Sequence, residues 1–223
     1  ALSNHEASDI PNATPYSNEI SDLYTVDASP YNIQNWSGYE EGNWWVMDPA
    51  AARVVDLGFE ALEGNDKINA LDCCAAPGGK TWRLISKGAN VTATDVSEKR
   101  LERLKESAVR LKMQPQIKQW DWTKGPIDLQ AGFDLVLVDA PCSGTGVIRR
   151  HPEIRWNRKS TDILANQILQ RQILCNAAKM VKSNGVLVYS VCSILPQEGQ
   201  AVAQSLDGWD VHQSLATYPK YPA

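Results

Sequence analysis

The first 52 residues contain no lysine or arginine, against eight acids: Glu6, Asp9, Glu19, Asp22, Asp27, Glu40, Glu41 and Asp48. With no basic region leading into an apolar stretch, this start lacks the makeup of a secretory signal. No run of about 18 apolar residues occurs, which excludes a membrane-spanning helix. The five cysteines, Cys73, Cys74, Cys142, Cys175 and Cys192, are odd in number and show no CxxC spacing. Neither a disulfide framework nor a metal site is expected, and a reducing cytoplasm is the natural setting. Cys73, ending an apolar strand, and Cys175, inside a long helix, are read as buried structural thiols. The GxGxxG signature of dinucleotide oxidoreductases is also missing.

Hydrophobic residues make up 43% of the 223, enough for one self-supporting α/β domain, expected to be a monomer. The net charge of -4 conceals an asymmetry: beyond residue 52, all 22 bases face 18 of the 26 acids. A mildly basic body behind an acidic lead permits RNA binding without demanding it.

Residues 1–35, rich in Ser, Asn, Asp and Pro, show little periodicity and read as an extended or partly disordered lead-in. Asp48-Pro49 predicts the start of a helix running through Ala51, Val54, Val55 and Leu62. Strand–helix alternation follows. Strands are predicted over 68–73, 91–94 (ending in Asp95), about 115–120 (ending at Asp121), 133–138 (ending in Asp139) and 186–190. Helices are predicted over about 79–87, 98–112 and 161–182. The last is expected to be capped by Ser160 or Thr161 and ended by Gly185. Its buried side is read as Ile163, Leu164, Ile168, Ile173, Leu174, Ala177 and Val181. Apolar strands separated by helices imply a Rossmann-like, mostly parallel sheet covered on both faces. Such sheets bind ligands beyond the carboxyl ends of their strands. There this chain places Asp72/Cys73, Asp95, Asp121, Asp139 and Cys192.

The turn Cys74-Ala75-Ala76-Pro77-Gly78-Gly79-Lys80 joins the first of these strands to its helix. Glycines let a backbone approach a ligand closely, and a helix N-terminus offers N–H groups to a carboxylate. Asp95 holds the position from which a carboxylate accepts hydrogen bonds from ribose hydroxyls. Asp121 is a candidate acceptor for an adenine amino group. Together they favour an adenosine-bearing ligand. A P-loop nucleotide hydrolase is the rival reading: Gly79-Lys80-Thr81 fits GxxxxGK[ST], but Cys74 stands where its first glycine belongs.

Cys142 follows the fourth strand in Asp139-Ala140-Pro141-Cys142, and Cys192 follows the fifth in Tyr189-Ser190-Val191-Cys192. If those strands are neighbours, both thiols face one crevice. The stretches LDCCAAPGGKT, DAPCSGTGVIRRHPEIRW and YSVCS resemble the Sun/Nop family of RNA cytosine-5 methyltransferases, from about Tyr39 to Gln204. The likeness is greatest to its bacterial 16S ribosomal RNA branch, with a transfer RNA enzyme as the alternative.

The resemblance implies S-adenosylmethionine (SAM) as cofactor, bound by the Cys74–Lys80 turn, Asp95, Asp121 and Asp139. It also implies that Cys192 is the nucleophile, that Cys142 assists product release, and that Asp139 contacts both the methionine part and the cytosine. DNA cytosine-5 methyltransferases use a Pro-Cys thiol instead, which keeps Cys142 as an alternative nucleophile. A non-catalytic RNA-binding module on the same fold is a third reading. It is disfavoured by two thiols at neighbouring strand ends.

Arg149, Arg150, Arg155, Arg158 and Lys159 surround Trp156 just after the Cys142 loop. Arginines clamp phosphate and an aromatic ring stacks an unpaired base, so this run is the candidate RNA contact. Trp120 and Trp122 flank Asp121, one expected in the core and the other beside the adenine. Residues 1–38 are expected to be an acidic, poorly structured lead-in or the remnant of an upstream RNA-binding domain. Residues 39–223 are the expected catalytic domain, stopping before the glycine-rich aromatic stretch that closes the fold in the family. Met47-Asp48 stands where the family commonly has Gln-Asp.

Overall fold

A computed structural model describes residues 10, 13–16, 22–26, 32–62, 67–129 and 132–216. Within the lead-in, β1 (Ala13–Pro15) and β2 (Tyr24–Val26) pair antiparallel. This is a short strand pair where periodicity predicted none; much of the rest of residues 1–35 lies outside the described residues. Asp48 then starts α1 (Pro49–Glu60) as expected: its side chain accepts the Ala50 N–H at 2.9 Å, with Pro49 in the first turn.

The apolar runs become one sheet of β3 (Asn69–Asp72), β4 (Asn90–Asp95), β5 (Gln116–Gln119), β6 (Phe133–Asp139) and β7 (Val181–Ser190). Every pairing is parallel and the order is β5-β4-β3-β6-β7. The chain winds outward from β3 in one direction and from β6 in the other. A crevice therefore opens beyond the carboxyl ends of β3 and β6, the switch point where such sheets bind ligands.

Alternate strand residues face opposite layers. Ala70, Leu135 and Leu137 pack on Val55 and Leu62 from the α1 region and Leu84 of α2 (Gly79–Ser86). Ala93 packs on Leu104 and Ala108 of α3 (Glu98–Leu111). Leu71, Val136 and Val138 turn to Ile173, Leu174 and Ala177 of α5 (Ser160–Ala178), which follows the one-turn α4 (Ile154–Asn157). Each buried Leu or Val contributes about 1.5–3 kcal/mol, so this double facing holds the strand ends in place. Between α1 and α2, Arg83 and Asp56 form a buried ion pair at 2.9 Å.

Several boundaries differ from expectation. The cap of α5 is Lys159 rather than Ser160 or Thr161, and its N–H donates to Asp162 at 2.9 Å. The fully buried residues of α5 begin only at Gln170. Its first turns run over loops, with Asn166 bonded to Glu198, Gln167 to the Gln197 carbonyl and Gln170 to the Pro141 carbonyl. Leu164 and Ile168 are consequently 58% and 53% exposed. Helix α5 stops at Ala178, and Gly185 lies inside β7, not at a helix end. Pairing jumps from Phe133–Val181 to Leu135–Val186, an irregularity that contains Asn184 in the left-handed conformation. Val181 continued the apolar pattern of the helix, which hid the turn. Cys175 is exposed on α5, contrary to its reading as a buried thiol, whereas Cys73 is buried. Among the described residues no helix is long and apolar enough to cross a membrane.

Candidate active site

The turn after β3 has the geometry its glycines suggest. Gly78 has φ +114°, and a Cβ on it would stand 2.7 Å from the Trp82 ring. Gly78 caps α2 without a side-chain hydrogen bond, so the helix start presents bare N–H groups. Cys74, Ala75 and Ala76 lead into it, with Ala75 and Ala76 buried, and Pro77 carries the chain to the two glycines. Beneath the turn, Thr81 donates to Asp72 at 2.7 Å, while the other Asp72 oxygen has no hydrogen-bond partner. Burial pushes the Asp72 carboxyl up to about 7, with Asp139 and Asp95 adding to the effect.

Asp95, at the end of β4, is buried; it accepts the Ala76 and Ser97 N–H groups at 3.3 and 3.0 Å and pairs with Arg100 at 3.3 Å. Asp121 is not a strand terminus, because β5 stops at Gln119. It caps the single turn Trp122–Lys124 and accepts from Thr123 N and Oγ1. Those bonds hold its carboxyl below the usual range. Trp122 is the core residue of its pair, with its indole N–H on Thr94 Oγ1. Trp120 is half-buried against the same cluster and donates to the Gly125 carbonyl.

Across the switch point, Lys80 Nζ lies 2.6 Å from Asp139 Oδ2, and Ser190 Oγ donates to Asp139 Oδ1 at 2.7 Å. Asp139 and Ser190 are partners in the β6–β7 register. The adjacency of these strands brings Cys142 and Cys192 together, their Sγ atoms 3.2 Å apart. The Cys142 thiol is held well above the ordinary range, first by its hydrogen bond to Cys192 and then by burial. The same hydrogen bond lowers Cys192 to about 7, against burial and the neighbouring Asp139. Burial raises both Cys73 and Cys74, so neither competes as a thiolate. The shared hydrogen bond thus shifts the two thiols in opposite directions, Cys142 up and Cys192 down.

The basic run divides. Arg150 pairs with Asp48, and Arg158 Nε donates to the Ser143 carbonyl at 3.0 Å. Arg149, Arg155 and Lys159 are exposed, and Trp156 is 76% exposed beside them. Two further residues at the site, Ser190 and Glu198, carry no mark in the sequence. Ser190 sits two residues before Cys192, where it read as strand. Glu198 is a lone acid in a polar loop, with no periodicity or motif spacing to mark it. Among the described residues no three His, Cys, Asp or Glu side chains form a possible metal site.

The sheet order and the crevice define the Rossmann-like fold of SAM-dependent methyltransferases. The crystal structure of PH0851 matches with a TM-score of 0.75 at 31% identity, covering 86% of this chain and 43% of that one. NSun6 from Pyrococcus horikoshii with SFG matches with a TM-score of 0.67 at 29% identity, covering 78% and 44%. The chain belongs to the family described as 16S rRNA methyltransferase RsmB/F, whose model matches residues 59–219. It is 44% identical over 174 residues to the ribosomal RNA small subunit methyltransferase B of Proteus mirabilis, covering 76% of this chain and 40% of that protein. The chain thus spans about two fifths of the length of the curated relatives it matches. Family membership sets aside the P-loop reading.

Proposed function

We propose that this chain carries the catalytic site of a SAM-dependent RNA cytosine-5 methyltransferase acting on 16S ribosomal RNA, with Cys192 as nucleophile. The observation that carries the proposal is the pair of thiols 3.2 Å apart beside the Lys80–Asp139–Ser190 network at the switch point. The crevice carries charge of both signs, with Asp95 paired to Arg100 and Asp139 to Lys80, and beneath the turn one buried Asp72 oxygen has no hydrogen-bond partner. The Cys74–Lys80 turn, Asp95, Asp121 and Asp139 are the proposed holders of SAM. SAM supplies an electrophilic methyl group on a sulfonium.

The protein's task is to make C5 of cytosine nucleophilic. Cys192 adds as thiolate to C6, and C5, now enamine-like, takes the methyl group. Asp139, fixed by Lys80 and Ser190, stabilises a protonated N3 edge during that addition. Water takes the C5 proton, the N3 proton is given up, and elimination of the Cys192 thiolate gives 5-methylcytosine and the free enzyme. Cys142, protonated beside the departing sulfur, assists release. The target base must be unpaired or flipped out to reach Cys192. Arg149, Arg155 and Lys159 are the proposed phosphate contacts, with Trp156 as a stacking surface, while Arg150 and Arg158 are held by Asp48 and the Ser143 carbonyl.

The test is methyl transfer from labelled SAM to 16S ribosomal RNA, with transfer RNA in parallel and the product mapped by bisulfite sequencing. Label at a cytosine C5 in 16S RNA is expected. Label confined to transfer RNA, or to a base other than cytosine, would overturn the assignment.

A further inference from the structure

The loops that carry Cys142 and Cys192 are joined by a buried carboxylate outside the reacting centre. Glu198 has no exposed surface. Its Oε1 accepts the Ser143 backbone N–H at 2.7 Å and the Asn166 amide at 3.0 Å, and its Oε2 accepts the Ser143 hydroxyl. The same Ser143 hydroxyl lies 3.3 Å from the Ser193 hydroxyl. The Glu198 carbonyl takes the Tyr189 hydroxyl at 2.6 Å. Ser143 directly follows Cys142, and Glu198 lies six residues after Cys192, so this side chain ties the Cys142 loop to the segment that follows Cys192, reaches Ser193 through the Ser143 hydroxyl, and fastens both to α5 through Asn166. Burial alone would raise this carboxyl. The hydrogen bonds from Ser143 and Asn166 work against burial, and the carboxyl is held below the ordinary range, so it is anionic at neutral pH.

Around this grip the loops meet closely. Gly146 N–H donates to the Cys192 carbonyl at 2.9 Å, and a Cβ on Gly146 would lie 2.7 Å from that oxygen. Ile194 N–H and Ser193 Oγ both bond to Thr145 Oγ1, at 3.2 and 3.0 Å. These contacts leave little slack, and a buried anion with several donors is among the stronger ways to fix two loops. We propose that Glu198 is a positioning residue: it clamps the Cys142 loop to the Cys192 loop and so sets the separation of the two thiols. The clamp rests on the proposed function for its purpose, but its geometry can be tested apart from any methylation.

The test uses the two thiols as a ruler. Diamide takes up the two hydrogens of a close thiol pair and leaves a disulfide, and peptide mapping reads the rate of Cys142–Cys192 bond formation in the full chain. Glu198→Ala is expected to slow that rate by about tenfold or more, the size of losing charged hydrogen bonds. Glu198→Gln, whose amide oxygen still accepts from Ser143, is expected to stay within about threefold of the parent. The alanine variant is also expected to lower kcat for methyl transfer, while the KM and Kd for SAM stay unchanged.

If Glu198→Ala does not fold, Glu198→Asp, which keeps the charge but draws it back from the loops, is held to the same tenfold criterion. Cross-linking at the parental rate in a folded Ala or Asp variant overturns the clamp. Slowed cross-linking in the variant, beside a parent protein that itself methylates no RNA, would leave the clamp standing and refute the methyltransferase reading instead.

Discussion

Replacing Cys142 by Ala, in a background where the exposed Cys175 is Ser, removes the thiol that lies 3.2 Å from Cys192. That hydrogen bond is the largest cause lowering Cys192 to about 7, while burial and Asp139 push the other way. Without it, Cys192 returns at least to the ordinary thiol value of about 8.5. The direction follows from the chemistry: a lowered thiol keeps its thiolate above about pH 7 and loses it as the pH falls through that value. At pH 7 the ionised fraction then drops from about one half to about 3%, so alkylation of Cys192 slows about 15-fold. Iodoacetamide labelling from pH 5.5 to 9.5, read at the Cys192 peptide by mass spectrometry, gives the midpoint in each protein. A midpoint that stays near 7 in the Cys142→Ala variant would refute the idea that the thiol pair activates Cys192.

Asp139→Asn keeps the size of the side chain but removes the charge paired with Lys80. Methyl transfer is expected to fall by about 10²–10⁴-fold, with the melting temperature little changed; near-parental turnover would remove Asp139 from the chemistry. Substituting Arg149, Arg155 and Lys159 together by Ala is expected to leave SAM affinity intact. The same triple variant should reduce the slope of log RNA affinity against log salt by about 2, measured by fluorescence anisotropy. Arg83→Ala breaks the buried pair between α1 and α2 and is expected to cost about 3–5 kcal/mol in urea unfolding, because Asp56 is left buried without its main cation.

The parts of the fold that were legible in the residues are those fixed by local patterns. The apolar runs before Asp72, Asp95 and Asp139 announced β3, β4 and β6, and Asp48-Pro49 announced α1 with its cap in place. Elsewhere tertiary contacts override periodicity. Leu164 and Ile168 have helical spacing toward the core, but the first turns of α5 lie over the Pro141 and Gln197 loops and leave them in solvent. Val181 looked like helix and became strand through an irregular pairing that no local rule signals.

At the site, the turn and both thiols could be proposed from motifs, whereas their meeting depended on β6 and β7 being neighbours, a property of sheet order alone. Ser190 and Glu198 escaped notice because their importance lies in partners 51 and 55 residues away, on Asp139 and Ser143. Arg150 and Arg158 read as free cations but are engaged by Asp48 and the Ser143 carbonyl.

Whether Cys192 attacks the base and Cys142 frees the product is decided by mixing 16S ribosomal RNA and methyl-labelled SAM with Cys142→Ala, with Cys192→Ala and with the Cys142→Ala/Cys192→Ala double variant, then running denaturing gels. The Cys142→Ala variant is expected to accumulate a labelled protein–RNA adduct that the double variant lacks. An adduct that persists without Cys192, or one that forms in Cys192→Ala and disappears when Cys142 is also removed, would contradict the assignment.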